Sequence, residues 1–182
     1  SPITSTTGTS SSSTSSSSIT PSDWFERTSI ENLDGSLAYM VSSANGGSYN
    51  GFTTTNKIDK SGNVLPWYFL GTPVQMNADK SLMTYNDEEP AQFNVEIQSD
   101  NSIKLCVDNQ YLYSYIDGTH YSSGLSDAKV APKSGTYFWN ATPSNNGYII
   151  KGVGNNVYLS FSTQGTFCGN KTAPSVPITF YA

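Results

Sequence analysis

The sequence predicts an all-β fold, and three observations carry that prediction. Beyond residue 30 no window sustains the i, i+3, i+4 apolar spacing of an amphipathic helix. Short alternating apolar runs, bounded by Gly, Asn, Asp or Pro, recur about every ten residues instead. The stretch IKLCVDNQYL (103–112) also returns as IKGVGNNVYL (150–159), with Ile, Lys, Asn, Tyr and Leu in register and a turn-forming pair at the middle of each copy. That is a hairpin written twice.

The strands follow in order. SLAYMVSS (36–43) is rich in residues that suit a pleated surface and follows the turn pair Asp34-Gly35; PWYFLG (66–71) follows Ser61-Gly62-Asn63. FNVEIQ (93–98) and SIKLCV (102–107) flank Asp100-Asn101, and YLYSYI (111–116) runs into Asp117-Gly118. YFWNAT (137–142) and GYIIKGV (147–153) flank Asn145-Asn146-Gly147, VYLSFS (157–162) follows Asn155-Asn156, and PITFYA (177–182) closes the series.

The repeat selects the architecture. Units starting at Pro90 and near Gly135 each open with an aromatic strand before the repeated hairpin, and the residues from Arg27 have a similar texture. Three copies, the first with an insertion, predict a β-trefoil-like barrel of three pseudo-repeats. A propeller needs at least four units, and a β-sandwich, the alternative, would not ordinarily carry the repeat. Ile103, Ile150, Leu112 and Leu159 are then expected in the core. Lys104 and Lys151 should point to solvent, with Asp108-Asn109 and Asn155-Asn156 making the turns.

Sixteen of the first twenty residues are Ser or Thr, with no aromatic and no charge, so residues 1–22 form an expected disordered, O-glycosylated stalk or linker before a single domain at 23–182. Nine Lys+Arg against fourteen Asp+Glu give a net charge of −5. A nucleic-acid partner would require a basic stripe, and none is present. No apolar run reaches the roughly 18 residues of a membrane span. The opening SPITS lacks the basic and apolar regions of a signal peptide, so any such signal is expected to have been removed already.

Cys106 and Cys168 are too few for a zinc cluster; either they pair or both are buried thiols. The sequons Asn140-Ala141-Thr142 and Asn170-Lys171-Thr172, with the hydroxyl-rich tract, point to secretion and N-glycosylation at Asn140 and Asn170. In an oxidising compartment a Cys106–Cys168 disulfide joining the last two repeats is the expectation.

Catalytic chemistry is sparse. The one histidine, His120, lies in a turn-like DGTHYSSG with no carboxylate spaced to orient it, and reads as a solvated loop residue. Asp87, Glu88 and Glu89 are adjacent, whereas glycosidase carboxyls must face each other across about 5 to 10 Å. Their spacing matches no EF-hand, although a loop calcium site is the other reading of such a turn. No catalytic residue, metal or cofactor is expected. Aromatics are more suggestive, because sugar faces stack on Trp and Tyr while amides and hydroxyls take the sugar hydroxyls. Tyr111, Tyr113 and Tyr115 share a strand face by period two and, with Trp67, are the glycan-binding candidates; a half-buried cross-strand aromatic ladder is the competing reading. Trp139, beside Phe138 on a repeat-opening strand, is assigned to the core.

TSIENLDGSLAYMVSSANGGSYNGF (28–52) and AQFNVEIQSDNSIKLCVDNQYLYSYIDG (91–118) resemble the trefoil-like domain of secreted fungal cell-wall proteins, the yeast cell-wall mannoproteins and PhiA-like proteins. The resemblance implies a non-catalytic, structural or glycan-associating domain, with cell-wall polysaccharide or mannoprotein glycans as partners. In the yeast mannoproteins the Ser-rich stalk and lipid-anchor signal follow the domain; here the tract precedes it and the chain ends in PITFYA, so no lipid anchor is expected. Tract followed by domain is also the layout of a C-terminal carbohydrate-binding module on a larger secreted fungal enzyme.

Overall fold

The computed structural model describes residues 23–44, 46–127 and 135–182, so the Ser/Thr tract at 1–22 lies outside the described residues. No α-helix occurs among them; apart from a 3-10 turn at Ile30–Asn32 the regular elements are strands. They are β1 (Phe25–Thr28), β2 (Ser36–Ser43), β3 (Tyr49–Ile58), β4 (Val64–Pro73), β5 (Gln75–Met76), β6 (Leu82–Thr84), β7 (Phe93–Ile97) and β8 (Ile103–Val107), followed by β9 (Gln110–Asp117), β10 (His120–Ser126), β11 (Trp139–Ser144), β12 (Gly147–Gly152), β13 (Tyr158–Phe161), β14 (Thr166–Asn170) and β15 (Thr179–Tyr181). The protein is therefore all-β, a large antiparallel sheet, as the alternating pattern predicts. No described helix is long and apolar enough to cross a membrane.

Pairing organises the strands into a closed circuit. β2 pairs with β7, β7 with β8, β8 with β11, β11 with β12, and β15 with β2. The remaining link joins β12 to the residue preceding β15: Tyr148 and Ile178 exchange backbone hydrogen bonds of 2.8 and 2.9 Å. Three hairpins leave this circuit and return to it. β3–β4 lies between β2 and β7, β9–β10 between β8 and β11, and β13–β14 between β12 and β15. The same order of circuit strand, hairpin and circuit strand thus occurs three times. β5 and β6 also fall inside the first of these, between β4 and β7.

Period two distributes the apolar side chains. On β2, Ala38 and Met40 enter a core with Phe52, Phe93, Ile103, Leu112, Trp139, Ile150, Leu159 and Phe180. Tyr39 and Val41 point the other way, into a second cluster with Met83 and Tyr181 that also holds Phe25 of β1 and Met76 of β5. Both faces of β2 are covered, which is why its sequence is an almost unbroken apolar run.

The apolar positions of the repeated hairpin are buried in both copies, but the strand register differs by two residues: Tyr111 pairs with Cys106, whereas its counterpart Tyr158 pairs with Lys151, the counterpart of Lys104. Ile103, Ile150, Leu112 and Leu159 are each at most 1% exposed. The turns differ. Asp108 and Asn109 both take positive φ (51° and 61°), the backbone of a two-residue primed hairpin turn, whereas in the second copy Gly154 and Asn156 carry the positive φ. Asn155 instead turns its amide inward and donates to Ser114 Oγ at 2.8 Å. Lys104 and Lys151 are half-buried rather than free in solvent. The Lys104 ammonium lies 5.4 Å from the Tyr111 ring centre and that of Lys151 5.9 Å from Tyr158.

The expected disulfide is absent: Cys106 and Cys168 are both free. Cys106 on β8 lies opposite Asn94 and Tyr111, while Cys168 on β14 lies opposite Ser160. No strand pairing brings β8 to β14. Burial, the largest influence on each, raises both thiols above their usual range and disfavours the thiolate.

Candidate glycan-binding groove

Two opposed bulges in the β3–β4 hairpin begin the site. Phe52 pairs with Gly71 and Asn56 with Phe69, so residues 53–55 of β3 stand against Leu70 alone; Asn56 and Lys57 then pair with Phe69 and Leu65, leaving residues 66–68 of β4 unpaired. Bulges bend a strand and re-aim its side chains. Here Asn56 stabilises the second one. Its Nδ2 donates to the carbonyls of Pro66 and Tyr68, each at 3.3 Å, replacing ladder bonds that the bulge removes. Thr53 Oγ1 does the same for the first, donating to Leu70 O at 2.7 Å. Pro66 belongs in such a segment because it has no N–H to contribute to a ladder.

The bulge delivers Trp67, 37% exposed, to a groove of about 580 Å³ whose lining comes from all three hairpins. Trp67 and Tyr68 enter from β4; Tyr115, Asp117, His120 and Tyr121 come from β9 and β10; Gln164, Asn170 and Lys171 come from β14 and its flanks. Gly169 allows the close approach behind it, since a Cβ there would sit 2.6 Å from the backbone carbonyl carbon of Ser122. Among the described residues no hydrogen bond engages the Trp67 indole N–H or the Tyr115 hydroxyl.

The four glycan candidates divide. Tyr115 lines the groove with Trp67. Tyr111 and Tyr113 belong to an aromatic ladder outside it, joined by Tyr137: ring centres lie 5.7 Å apart for Tyr111–Tyr137, 6.2 Å for Tyr113–Tyr137 and 5.5 Å for Tyr113–Tyr115. The Tyr111 hydroxyl donates to Glu96 at 3.3 Å, and Tyr113 lies across Gly124, where a Cβ would meet its oxygen at 2.6 Å. Burial, first, and the neighbouring tyrosines raise the Tyr113 phenol. Trp139 is fully buried and donates its indole N–H to Leu112 O at 3.0 Å.

Both sequon asparagines are exposed. Asn140 lies on β11 opposite Lys151, whereas Asn170 lies at the groove, its Oδ1 accepting the Thr172 N–H at 3.0 Å. His120 is exposed, at the first position of β10 and opposite Asp117. Asp87, Glu88 and Glu89 are exposed, and Glu89 accepts the Tyr39 hydroxyl at 2.7 Å. A second trough of about 530 Å³, lined by residues 53–55, Glu88, Glu89, Asn94 and Asp108, contains no aromatic side chain and so offers no stacking face. No family model matches the chain, and no curated protein does.

Tyr68, Tyr121, Gln164 and Tyr137 are groove or ladder residues that sequence reasoning does not single out. Tyr121 alternates with buried Ser122 along β10, a strand whose Ser- and Gly-rich run HYSSGLS carries little apolar signal. Tyr137 was visible only as part of the aromatic run YFW.

Proposed function

We propose that this is a secreted, non-catalytic domain of β-trefoil fold that associates with fungal cell-wall glycans through the Trp67–Tyr115 groove. The observation that carries the reading is the convergence of an exposed indole and a tyrosine from different hairpins on one groove, ringed by amides, hydroxyls and phenols. Sugars need such a combination: flat apolar surface for C–H faces, and donors and acceptors for hydroxyls. The trefoil assignment is supported by the six-strand pairing circuit and by a hairpin interrupting it at each of three places. Secretion is supported by the two exposed sequons, and the wall by the resemblance of 28–52 and 91–118 to fungal wall proteins. The groove would serve equally in a C-terminal carbohydrate-binding module of a larger secreted enzyme, a reading favoured by the Ser/Thr tract preceding the domain.

Titration of the chain free of N-glycans with laminarihexaose, chitohexaose and mannohexaose tests the proposal. One of them should bind, and Trp67→Ala and Tyr115→Ala should each weaken that binding by about 3- to 10-fold, the scale of one lost stacking contact. Absence of binding to all three, or unchanged affinity in both variants, would sink it; turnover of any probe would instead make the domain an enzyme.

A further inference from the structure

Asn170 combines two properties that bear on each other. It belongs to a glycosylation sequon, and its side chain stands on the strand face that lines the groove: Thr166, Cys168 and Asn170 alternate along β14, and all three line it. Asn140 belongs to β11, whose residues do not line this groove. At Asn170 the Oδ1 is engaged by the Thr172 N–H at 3.0 Å, which turns the amide into a fixed Asx turn. No hydrogen bond among the described residues engages its Nδ2, the atom to which a glycan attaches. Lys171, the middle residue of the sequon, lines the groove as well.

We infer that an N-linked glycan on Asn170 covers the groove, so that occupancy of this sequon gates access to Trp67 and Tyr115. A glycan rooted on the lining is held by a single side chain from the surface it would cover, and its local concentration there is that of a tethered ligand rather than a free one. A stem sugar also presents the same stacking faces and hydroxyls that the groove is suited to take, so the tethered chain competes for the same contacts. The biological consequence rests on the glycan-binding reading above; the covering itself does not.

The test uses the full chain secreted from a yeast host, compared with the same protein after enzymatic removal of N-glycans and with Asn170→Gln and Thr172→Ala, two independent ways of abolishing the sequon. Mass spectrometry reads occupancy at Asn170. Acrylamide quenching reads exposure of Trp67, isolated by subtracting the signal of Trp67→Phe in each form, because Trp139 is buried and Trp24 contributes in all of them. The glycosylated chain should show a Trp67 component close to zero quenching, restored by glycan removal and by either substitution. Laminarihexaose, chitohexaose or mannohexaose should bind the enzymatically opened chain and Thr172→Ala at least about tenfold more tightly than the glycosylated chain. An unmodified Asn170 in the secreted chain, or equal quenching of Trp67 with and without the glycan, overturns the inference. Shielding of Trp67 with no hexasaccharide bound by the opened forms upholds the cover and removes the glycan-binding reading instead.

Discussion

The Asn56 amide holds the carbonyl of Tyr68 at 3.3 Å and that of Pro66 at the same distance, closing a bulge with a side chain where a strand partner would otherwise stand. This pair sets the direction in which Trp67 leaves the sheet. Asn56→Ala should therefore act on the groove more than on the fold. Its stability cost is expected near 1 kcal/mol, the net worth of a typical exposed hydrogen bond. Hexasaccharide titration should show weakening comparable to that of Trp67→Ala, whereas Asn56→Asp, which keeps the size but not the donors, should behave like the alanine form. Wild-type affinity in both would show that the bulge holds its shape without them.

Leu112 and Leu159 are both fully buried in the core and should both be sensitive. Urea titration of Leu112→Ala and Leu159→Ala should show losses of about 2 to 5 kcal/mol each. Lys104→Ala and Lys151→Ala remove an ammonium resting on a ring together with the half-buried stem that carries it, and should cost about 0.5 to 1 kcal/mol. A large loss at either lysine would mean that its stem carries more packing than its half-buried position indicates.

Two glycines separate tight backbone from tight side chain. A Cβ at Gly169 would press on the backbone of Ser122, which cannot move without shifting β10; at Gly124 it would press on the far end of the Tyr113 side chain, which can rotate. Gly169→Ala is expected to destabilise by about 1 to 3 kcal/mol or more, and Gly124→Ala by less, with the cost appearing as displaced Tyr113. Thermal melts, with near-ultraviolet circular dichroism to follow the tyrosine ladder, compare the two.

The free thiols give a direct chemical readout. In denaturant without reductant a thiol reagent should label both Cys106 and Cys168, and in the native protein Cys168 should be protected by burial. Label at neither position in denaturant would restore the disulfide.

Stability should fall on the alkaline side. Tyr181 is pushed up to about 12 from the usual 10.0, chiefly by burial, and Tyr39 is raised by burial and then by its hydrogen bond to Glu89. In both cases the folded state favours the protonated phenol. Their contribution is therefore fully present below about pH 10 and is lost as pH rises from there through the folded values, because the unfolded chain ionises first. Urea midpoints measured from pH 8 to 11.5 should decline above pH 10, and Tyr39→Phe should make that decline shallower.

Much of this molecule is written in local pattern. Alternating apolar residues, turn pairs such as Asp108-Asn109, and a hairpin given twice determined the strands around residues 93–117 and 147–161, along with the burial of Ile103, Leu112, Ile150 and Leu159. These features are legible because they depend on neighbours in the chain: side-chain direction follows period two, and positive φ follows from Asn, Asp and Gly. The strands the sequence pattern does not reveal are β1, β3, β5, β6, β10 and β14; the longer of these, β3, β10 and β14, carry Thr-, Ser- and Gly-rich runs (YNGFTTTNKI, HYSSGLS, TFCGN) that bury small polar residues beside few large apolar ones. Tertiary structure alone decided three things. It paired the C-terminal β15 with β2, near the opposite end of the chain. It kept Cys106 and Cys168 on strands that do not pair, and both thiols are free. It also brought Trp67 and Tyr115 into one groove while leaving Tyr111 and Tyr113 to the ladder. Each depends on which strand edge finds which, and that choice is set by closing the circuit over a shared core, a constraint no local stretch of residues contains.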